Sequence, residues 1–426
     1  MIERALELAQ RQAQAAEVSL VRSRSTSADY QDDKLKRVAV AQATHVGVRV
    51  IADGKLGSAQ ATDPEEIEEV VARAAELAQF GSEARFDFAG TADLPKVETY
   101  DPEVERIPKE DLVSVGAEML DLIKAYNDEI KVFGGAGWSI GERRIANSSG
   151  LDIKTRSSML DVGAGGELIR GTDMLAAHAT HNWRKRVADP SDIAKRAIEH
   201  FRLAERNVPI ASKPMAVILS PRACVLLLYC LQMGVNGKNV LKGDSPLAGR
   251  LGEKIAPDGF SLIDDGTIDY APGSAPCDGE GVPRRRTPIV ENGRLNAFLY
   301  DLETAGSAGA QSTGNGPGCE PSNLVIPPGD VTFDDMVKGT REGLLIEHVM
   351  GLGQSNLMNG DLSVNVSLGY KIENGEIAGR VKDVMLAGNV YNALTRIDAI
   401  GSEPDWAWTT CAPPIRIETL SVVAKG

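Results

Sequence analysis

Met215-Ala-Val-Ile-Leu-Ser-Pro-Arg-Ala-Cys-Val-Leu-Leu-Leu-Tyr-Cys-Leu-Gln-Met-Gly234 opens the stretch that decides the fold, which runs on to Pro283. Met215 to Leu219 reads as a short apolar strand. Ser220 can accept from orphan helix amides, and Pro221 suits a first helical position. Cys224 to Met233 is almost wholly apolar, so the helix it predicts is buried on most sides. Gly234 and Gly237 are expected to end it. Asp244-Ser-Pro-Leu247, Leu251-Gly-Glu-Lys-Ile255, the pair Asp264-Asp265 and Asp278-Gly-Glu-Gly-Val-Pro283 follow. Glycines and carboxylates this dense beside a buried helix predict a pocket wall.

Downstream, the pattern is mainly β. Asn292-Gly293 and Asn374-Gly375 each separate apolar stretches and predict hairpin turns, since Asn and Gly tolerate positive φ. Val381 to Ala387 and Ile415 to Val423 read as strands. Asp301 to Gly309 and Thr332 to Gly339 read as short helices, and Gly306 to Gly318 as a long loop.

Upstream, Ile2, Leu6 and Ala9 recur at helical spacing. Glu17 to Ser27 reads as a strand. Val46, Val48 and Val50 alternate in a second, and Asp53-Gly54 turns into a third near Leu56 to Ala61. Asp63-Pro-Glu-Glu66 starts a helix whose apolar face is Ile67, Val70, Val71, Ala74 and Ala78. Phe86 to Pro108 reads as irregular, Lys109 to Tyr126 as a helix. Strands near 130–140, 143–147 and 151–159 are joined at glycine turns. Ser191 caps a helix to about Glu205, and 207–213 is a connection. Gly134-Gly-Ala-Gly137 lacks the Lys-Ser/Thr of a phosphate loop and fits a strand turn.

The expected architecture is α+β in two domains. Residues 1–206 form an α/β-type domain with a mixed sheet, and 207–426 a mainly antiparallel β domain around the buried helix. A chain of 426 residues with 42% hydrophobic content can build both cores. The formal charge of −14 argues against a nucleic-acid-binding face. The five cysteines, Cys224, Cys230, Cys277, Cys319 and Cys411, form neither a CxxC zinc pattern nor a disulfide framework. No apolar run reaches the ~18 residues of a membrane span. The amphipathic start does not read as a signal peptide, so a cytoplasmic protein is expected.

In order, Leu-Gly-Glu-Lys-Ile255, Asp-Asp-Gly266, Asp-Gly-Glu-Gly-Val-Pro283 and Glu-Asn-Gly-Arg-Leu295 resemble the TldD/PmbA family of zinc peptidases and their partners. Ser312-Thr-Gly-Asn315, Asn323-Leu324, Asn359-Gly-Asp361, Gly388-Asn389 and Ile417 to Val423 extend the resemblance, which is close over the C-terminal half and loose before it. The resemblance implies that catalytic chains carry His-Glu-x-x-x-His on the buried helix, giving two zinc-binding imidazoles and a general base. A second kind of chain, TldE or PmbA, lacks these residues and pairs with the first. Here Tyr229, Cys230 and Gly234 stand at the motif positions. On an ideal helix 229 and 234 lie roughly 140° apart. The chain is therefore expected to be a TldE-like subunit without zinc or another cofactor. Its expected partner is a TldD-like zinc subunit or a second copy, around a chamber that admits unfolded or short peptides.

Two alternatives stay open. One is a hydrolase using Cys230, or a metal held by Asp264, Asp265, Asp278 and Glu280. The other is a non-enzymatic homodimer that binds peptides or a small ligand. For the four carboxylates, turn capping is the plainer reading. A thiolate at Cys230 needs a base or a positive field, which His348 or Lys238 would have to supply through the fold. Glu347 and His348 are adjacent in an expected strand and so face opposite ways. Contact with substrate or partner is assigned as a possibility to Asp264, Asp265, Asp278, Glu280, Ser312, Thr313, Asn315 and His348. Glycines at 314, 316, 351 and 353 would let a peptide backbone approach.

Overall fold

The computed structural model describes residues 1–186 and 189–425. The first half runs α1 (Ile2–Gln10), β1 (Ala15–Gln31), β2 (Lys34–Ala52), β3 (Lys55–Ala61), α2 (Ile67–Ala78), the single turn α3 (Pro102–Glu105), α4 (Lys109–Tyr126), β4 (Lys131–Asn147), β5 (Asp152–Arg170), β6 (Asp173–Trp183) and α5 (Ser191–Leu203). The second begins with β7 (Lys213–Leu219), α6 (Val225–Val235), α7 (Gly237–Lys242), β8 (Leu262–Asp265), β9 (Arg286–Glu291), β10 (Arg294–Leu295), α8 (Leu302–Ala308), β11 (Leu324–Val325) and α9 (Phe333–Lys338). It continues with β12 (Glu342–Met350), β13 (Asp361–Glu373), β14 (Glu376–Arg380), β15 (Val384–Asn389), α10 (Val390–Leu394), β16 (Ile397–Ile400), β17 (Asp405–Ala407), β18 (Thr410–Ala412) and β19 (Ile415–Ala424). The class is α+β, as expected.

The first sheet has the order β3-β2-β1-β4-β5-β6. It was expected to be mixed, and it is antiparallel throughout. Hairpins join most neighbours, and the long excursion through α2 and α4 returns β4 antiparallel to β1. The strands are also longer than the residue pattern suggests. Residues 131–147 form one strand with no turn at Gly141, because Gly141 has a partner on each side, Ser23 and Ser157. Gly134 to Gly137 lie within this strand and not at a turn.

Helices α1 and α2 bury one apolar stripe against this sheet, including Ile67, Val70, Val71, Ala74 and Ala78. Before α2, the Asp63 carboxylate accepts from Glu65 N and Pro64 starts the turn. Helices α4 and α5 cover the sheet further along. Their apolar faces meet Ile218, Leu345, Leu368 and Tyr370 of the second half in one continuous core. Ser191 is the first residue of α5 and not its cap; the Asp189 carboxylate accepts from Ser191 N at 2.9 Å.

The second half holds two further sheets. In one, β12-β7-β19-β15-β13 closes on itself because β13 also pairs with β12, while β14 and β16 hang from its edges. The other has the order β10-β9-β8-β11-β18-β17. Both Asn-Gly pairs sit at hairpin tips, with φ of 48° at Asn292 and 53° at Asn374. The apolar helix α6 starts at Val225, one turn later than Ser220 and Pro221 suggest, and packs into the core of this half. Gly234 lies inside α6, and Gly237 begins α7 after the Asn236 side chain accepts from Lys238 N. Among the described residues no helix is long and apolar enough to cross a membrane.

Candidate functional site

Helix α6 carries the three positions singled out in the sequence, and they diverge. Tyr229 points outward and is 44% exposed, beside exposed Val225. Cys230 is fully buried in the apolar core. Burial, then the Asp361 carboxylate, pushes its thiol up to about 11. A thiol held there stays protonated near neutrality and is a poor nucleophile.

Gly234 is buried, and a Cβ built on it would stand 2.5 Å from the Tyr391 hydroxyl and 3.1 Å from Leu247. That Tyr391 hydroxyl donates to the Cys230 carbonyl at 3.2 Å, and Ser245 Oγ donates to the Gly234 carbonyl at 2.5 Å. The space a second ligand would need is thus filled by Tyr391 and Leu247. One exposed phenol, one buried thiol and one glycine do not make a zinc site. Among the described residues, no three His, Cys, Asp or Glu side chains are grouped to hold a metal ion.

The acidic group belongs to the second half and reaches the first through the Glu280–Arg49 pair, and its oxygens are occupied. Asp264 Oδ1 accepts from Ser322 N and Oγ, both at 2.6 Å, and from Asn323 N at 3.1 Å. Its Oδ2 accepts from Asn315 Nδ2 at 2.6 Å. Asp278 Oδ1 accepts from the amides of Glu280 and Val282, and Oδ2 from that of Gly316. Glu280 accepts from Leu302 N at 2.8 Å and pairs with Arg49 at 2.9 Å. Burial raises all three carboxyls against the pull of these donors. Asp265 closes its own turn by accepting from Thr267 N and Oγ1.

Ser312, Thr313 and Asn315 belong to the same network. Thr313 Oγ1 accepts from Tyr300 N at 2.7 Å, and Ser312 Oγ accepts from Gly314 N at 3.2 Å. Asn315 ties this loop to Asp264. The first sheet clamps the assembly from the other side. Arg143 donates to the Asp278 and Gly279 carbonyls, and Arg184 to those of Ala271, Pro272 and Ser274. Arg49 also pairs with buried Glu17 at 3.3 Å. Burial pushes the Glu17 carboxyl up to about 7, although Arg49 opposes this.

His348 departs from the expected strand alternation. Ile346 pairs with Gly369 and His348 with Leu368, so Glu347 is the extra residue of a β-bulge. Both side chains therefore serve one region. The His348 ring stacks on His178 of β6 with centroids 4.5 Å apart, and His200 of α5 stands edge-on at 6.3 Å. Glu347 lines a cavity of about 630 Å³ that is also bounded by His178 and His200. Three of the chain's five histidines thus meet here, and the sequence pointed to one of them. Residues 178, 200, 222 and 348 share no motif or spacing; only the packing of the halves unites them.

A second, larger cleft of about 1040 Å³ lies over the first sheet. Its floor follows the cross-strand row Ser27–Gly137–Asp161–Asn182, beside Asp29–Gly135–Gly163–Thr180. The glycines are required: a Cβ at Gly135 would stand 2.1 Å from the Ala28 carbonyl. Small side chains leave the backbone accessible from above. Trp408, 63% exposed at the tip between β17 and β18, stands at the rim of both this cleft and the smaller cavity.

Residues 212–424 match the family model described as the PmbA/TldA metallopeptidase C-terminal domain, and 16–78 that of PmbA/TldA metallopeptidase domain 1. The chain belongs to the PmbA/TldD family. An uncharacterised protein of Methanocaldococcus jannaschii is 30% identical over 92% of both chains. Among solved structures, a Thermotoga maritima protein described as a candidate modulator of a DNA gyrase is similar, with a TM-score of 0.90 and 27% identity over 99% of each chain. TldE from Thermococcus kodakarensis shares the fold, with a TM-score of 0.89 and 24% identity over 99% of each chain. The strand, buried helix and carboxylate turns that suggested this family are the elements that build the seam and the core of the second half.

Proposed function

We propose that the chain is the non-catalytic, TldE-like member of a two-subunit peptidase. It pairs with a zinc-bearing TldD-type subunit, and its glycine-floored cleft forms part of the chamber that admits unfolded or short peptides. The observation that carries this reading is the state of α6. The helix keeps its place in the core, while Tyr391 and Leu247 occupy the room beside Gly234. Thiol chemistry has less support, because Cys230 is buried and the nearby charge that acts on it is the Asp361 carboxylate. Association with another chain is supported by β2. Its outer side pairs with β3 only at Val46–Ala52, so among the described residues 34–45 is a free sheet edge, with Val40 69% exposed.

The test is metal analysis and peptide cleavage on the purified chain, alone and mixed with a TldD-type subunit from the same source. The expected result is no bound zinc and no cleavage alone, with the mixture exceeding the zinc subunit by itself. One metal per chain, or cleavage by the chain alone, would overturn the reading. A stable homodimer that ignores the zinc subunit would replace it with the homodimeric binder. Gly234→His provides a structural check. The added side chain must displace Tyr391 and Leu247, which costs about 1–3 kcal/mol in a packed core. Unchanged stability in urea would show that the helix still has room for a ligand.

A further inference from the structure

The cavity beneath the β17–β18 hairpin contains an arginine and a glutamate that form no ion pair among the described residues. Arg222 follows β7 and reaches across to the first sheet. Its Nη1 donates to Thr180 Oγ1 at 3.2 Å, and its Nη2 lies 2.9 Å from His178 Nε2. A guanidinium can only donate, so His178 Nε2 accepts and that ring is neutral with its proton on Nδ1. Both partners of Arg222 are uncharged, and among the described residues no carboxylate pairs with it.

Glu347, on the bulge, also makes no ion pair among the described residues. Burial pushes its carboxyl up to about 7, against a hydrogen bond from Ser220 and the fields of Arg196 and Arg222. Of the other charges at the rim, Glu403 is exposed to solvent and makes no ion pair among the described residues, and the rest are matched. Arg196 pairs with Asp405 at 2.5 Å and Glu199 with Arg202 at 2.6 Å. Nearby, His348 Nε2 and His200 Nδ1 are buried with no hydrogen-bond partner among the described residues. Phe333 and Trp406 give the cavity an aromatic wall, and the Trp406 ring is fixed edge-on to Trp183 at 5.0 Å.

An unpaired cation, a partly buried unpaired carboxyl and an aromatic wall select a ligand by exclusion. A phosphate would meet Arg222 but be opposed by Glu347. A metal ion would be opposed by Arg222. A purely apolar ligand would leave both charges buried and unmatched, which is costly. A small zwitterion satisfies both. We propose that this cavity binds a ligand of the α-amino-acid class, with its carboxylate on Arg222, its ammonium at Glu347 and an apolar side chain against Trp406. Free amino acids and the termini of a short peptide offer the same groups, and about 630 Å³ accommodates either. The inference stands apart from the subunit reading, since it needs neither a partner chain nor a chamber.

The test is calorimetric titration of the full chain with phenylalanine, phenylalanine amide, N-acetylphenylalanine and the dipeptide of phenylalanine. Phenylalanine or the dipeptide is expected to bind, and whichever binds more tightly identifies the source. Amidation should weaken binding about tenfold. Arg222→Gln should cause a similar loss for the acid and little further loss for the amide. Glu347→Gln should in the same way remove the discrimination against the acetylated compound. A merely structural role would not couple each variant to one end of the ligand. Should Arg222→Gln fail to fold, the amide comparison on the unaltered chain still decides. No binding at millimolar concentrations, equal affinity for acid and amide, or preference for inorganic phosphate would overturn the proposal.

Discussion

Two polar regions lie between the halves of this molecule, and they treat charge in opposite ways. Around Asp264, Asp278 and Glu280, each carboxylate oxygen has a donor, and Arg49, Arg143 and Arg184 complete the clamp. Around Arg222 and Glu347, the charges form no ion pair and two imidazole nitrogens lack hydrogen-bond partners among the described residues. Leaving a polar atom buried and unpaired costs about 1–3 kcal/mol. The three satisfied carboxylates therefore point to a structural brace, even with Glu17 Oε2, Arg284 Nε and Thr287 Oγ1 left unpartnered beside them among the described residues, whereas the unpaired ionisable groups that line a cavity point to a place that something else completes. The acidic residues that drew attention in the sequence belong to the first kind; the second holds His348, which the sequence marked, together with His178, His200 and Arg222, which it did not.

The comparison can be broken most directly at Asp264. Asp264→Ala strips four donors of their acceptor, and a loss of about 3–5 kcal/mol is expected, by analogy with breaking a buried charged network. Urea denaturation measures it. A loss below about 1 kcal/mol would mean that Asp264 is not a brace, and that the acidic group is free for another task.

A second test uses pH. Glu17 and Glu347 have folded values raised to about 7, above the ~4.3 of an unfolded glutamate. The folded state holds these protons more tightly, so this contribution is fully present below pH ~4.3 and is lost as pH rises through about 7. The buried histidines act in the other direction. Burial and Arg222 depress His178 and His200 to about 4 and His348 to about 3, so their contribution is present above the ~6.5 of a free histidine and is lost as pH falls. Between about pH 4.5 and 6.5 the two trends oppose each other. Glu17→Gln should remove one of them, so stability measured across that window should rise more steeply with pH in the variant, by about 1–2 kcal/mol in total. An identical pH profile would show that Glu17 is not the buried proton store inferred from its packing.

The smallest effect is expected at Asp265, whose carboxylate serves only its own partly exposed turn. Asp265→Ala should cost about 0.5–1 kcal/mol in the same denaturation experiment. A loss equal to that of Asp264→Ala would dissolve the distinction between the two neighbouring aspartates.

Much of the fold was legible from the chain. The stripe Ile67, Val70, Val71, Ala74 and Ala78 gave α2 its face, and the Asn-Gly pairs gave two hairpins, because local sterics and periodicity decide those features. Strand length was harder to read. The β-rich first half contains continuous strands through glycines, and a glycine in a strand looks like a turn until its partners on both sides are known. The bulge at Glu347 was hidden for the same reason, since alternation along β12 is broken by its pairing with β13. Gly234 shows the same limit from another side: the sequence marks a glycine on the apolar helix, and only the packing of Tyr391 and Leu247 shows that the space beside it is filled.

By itself the sequence determined the family, the α+β class and the buried helix, because each is written in residue types at short spacing. The tertiary structure decided which carboxylates are spent on holding the halves together. It also decided that His178, His200, Arg222 and Glu347 face one cavity. Those residues come from four separate segments, and their charges acquire meaning only from the low-dielectric surroundings and the partners that folding gives or withholds.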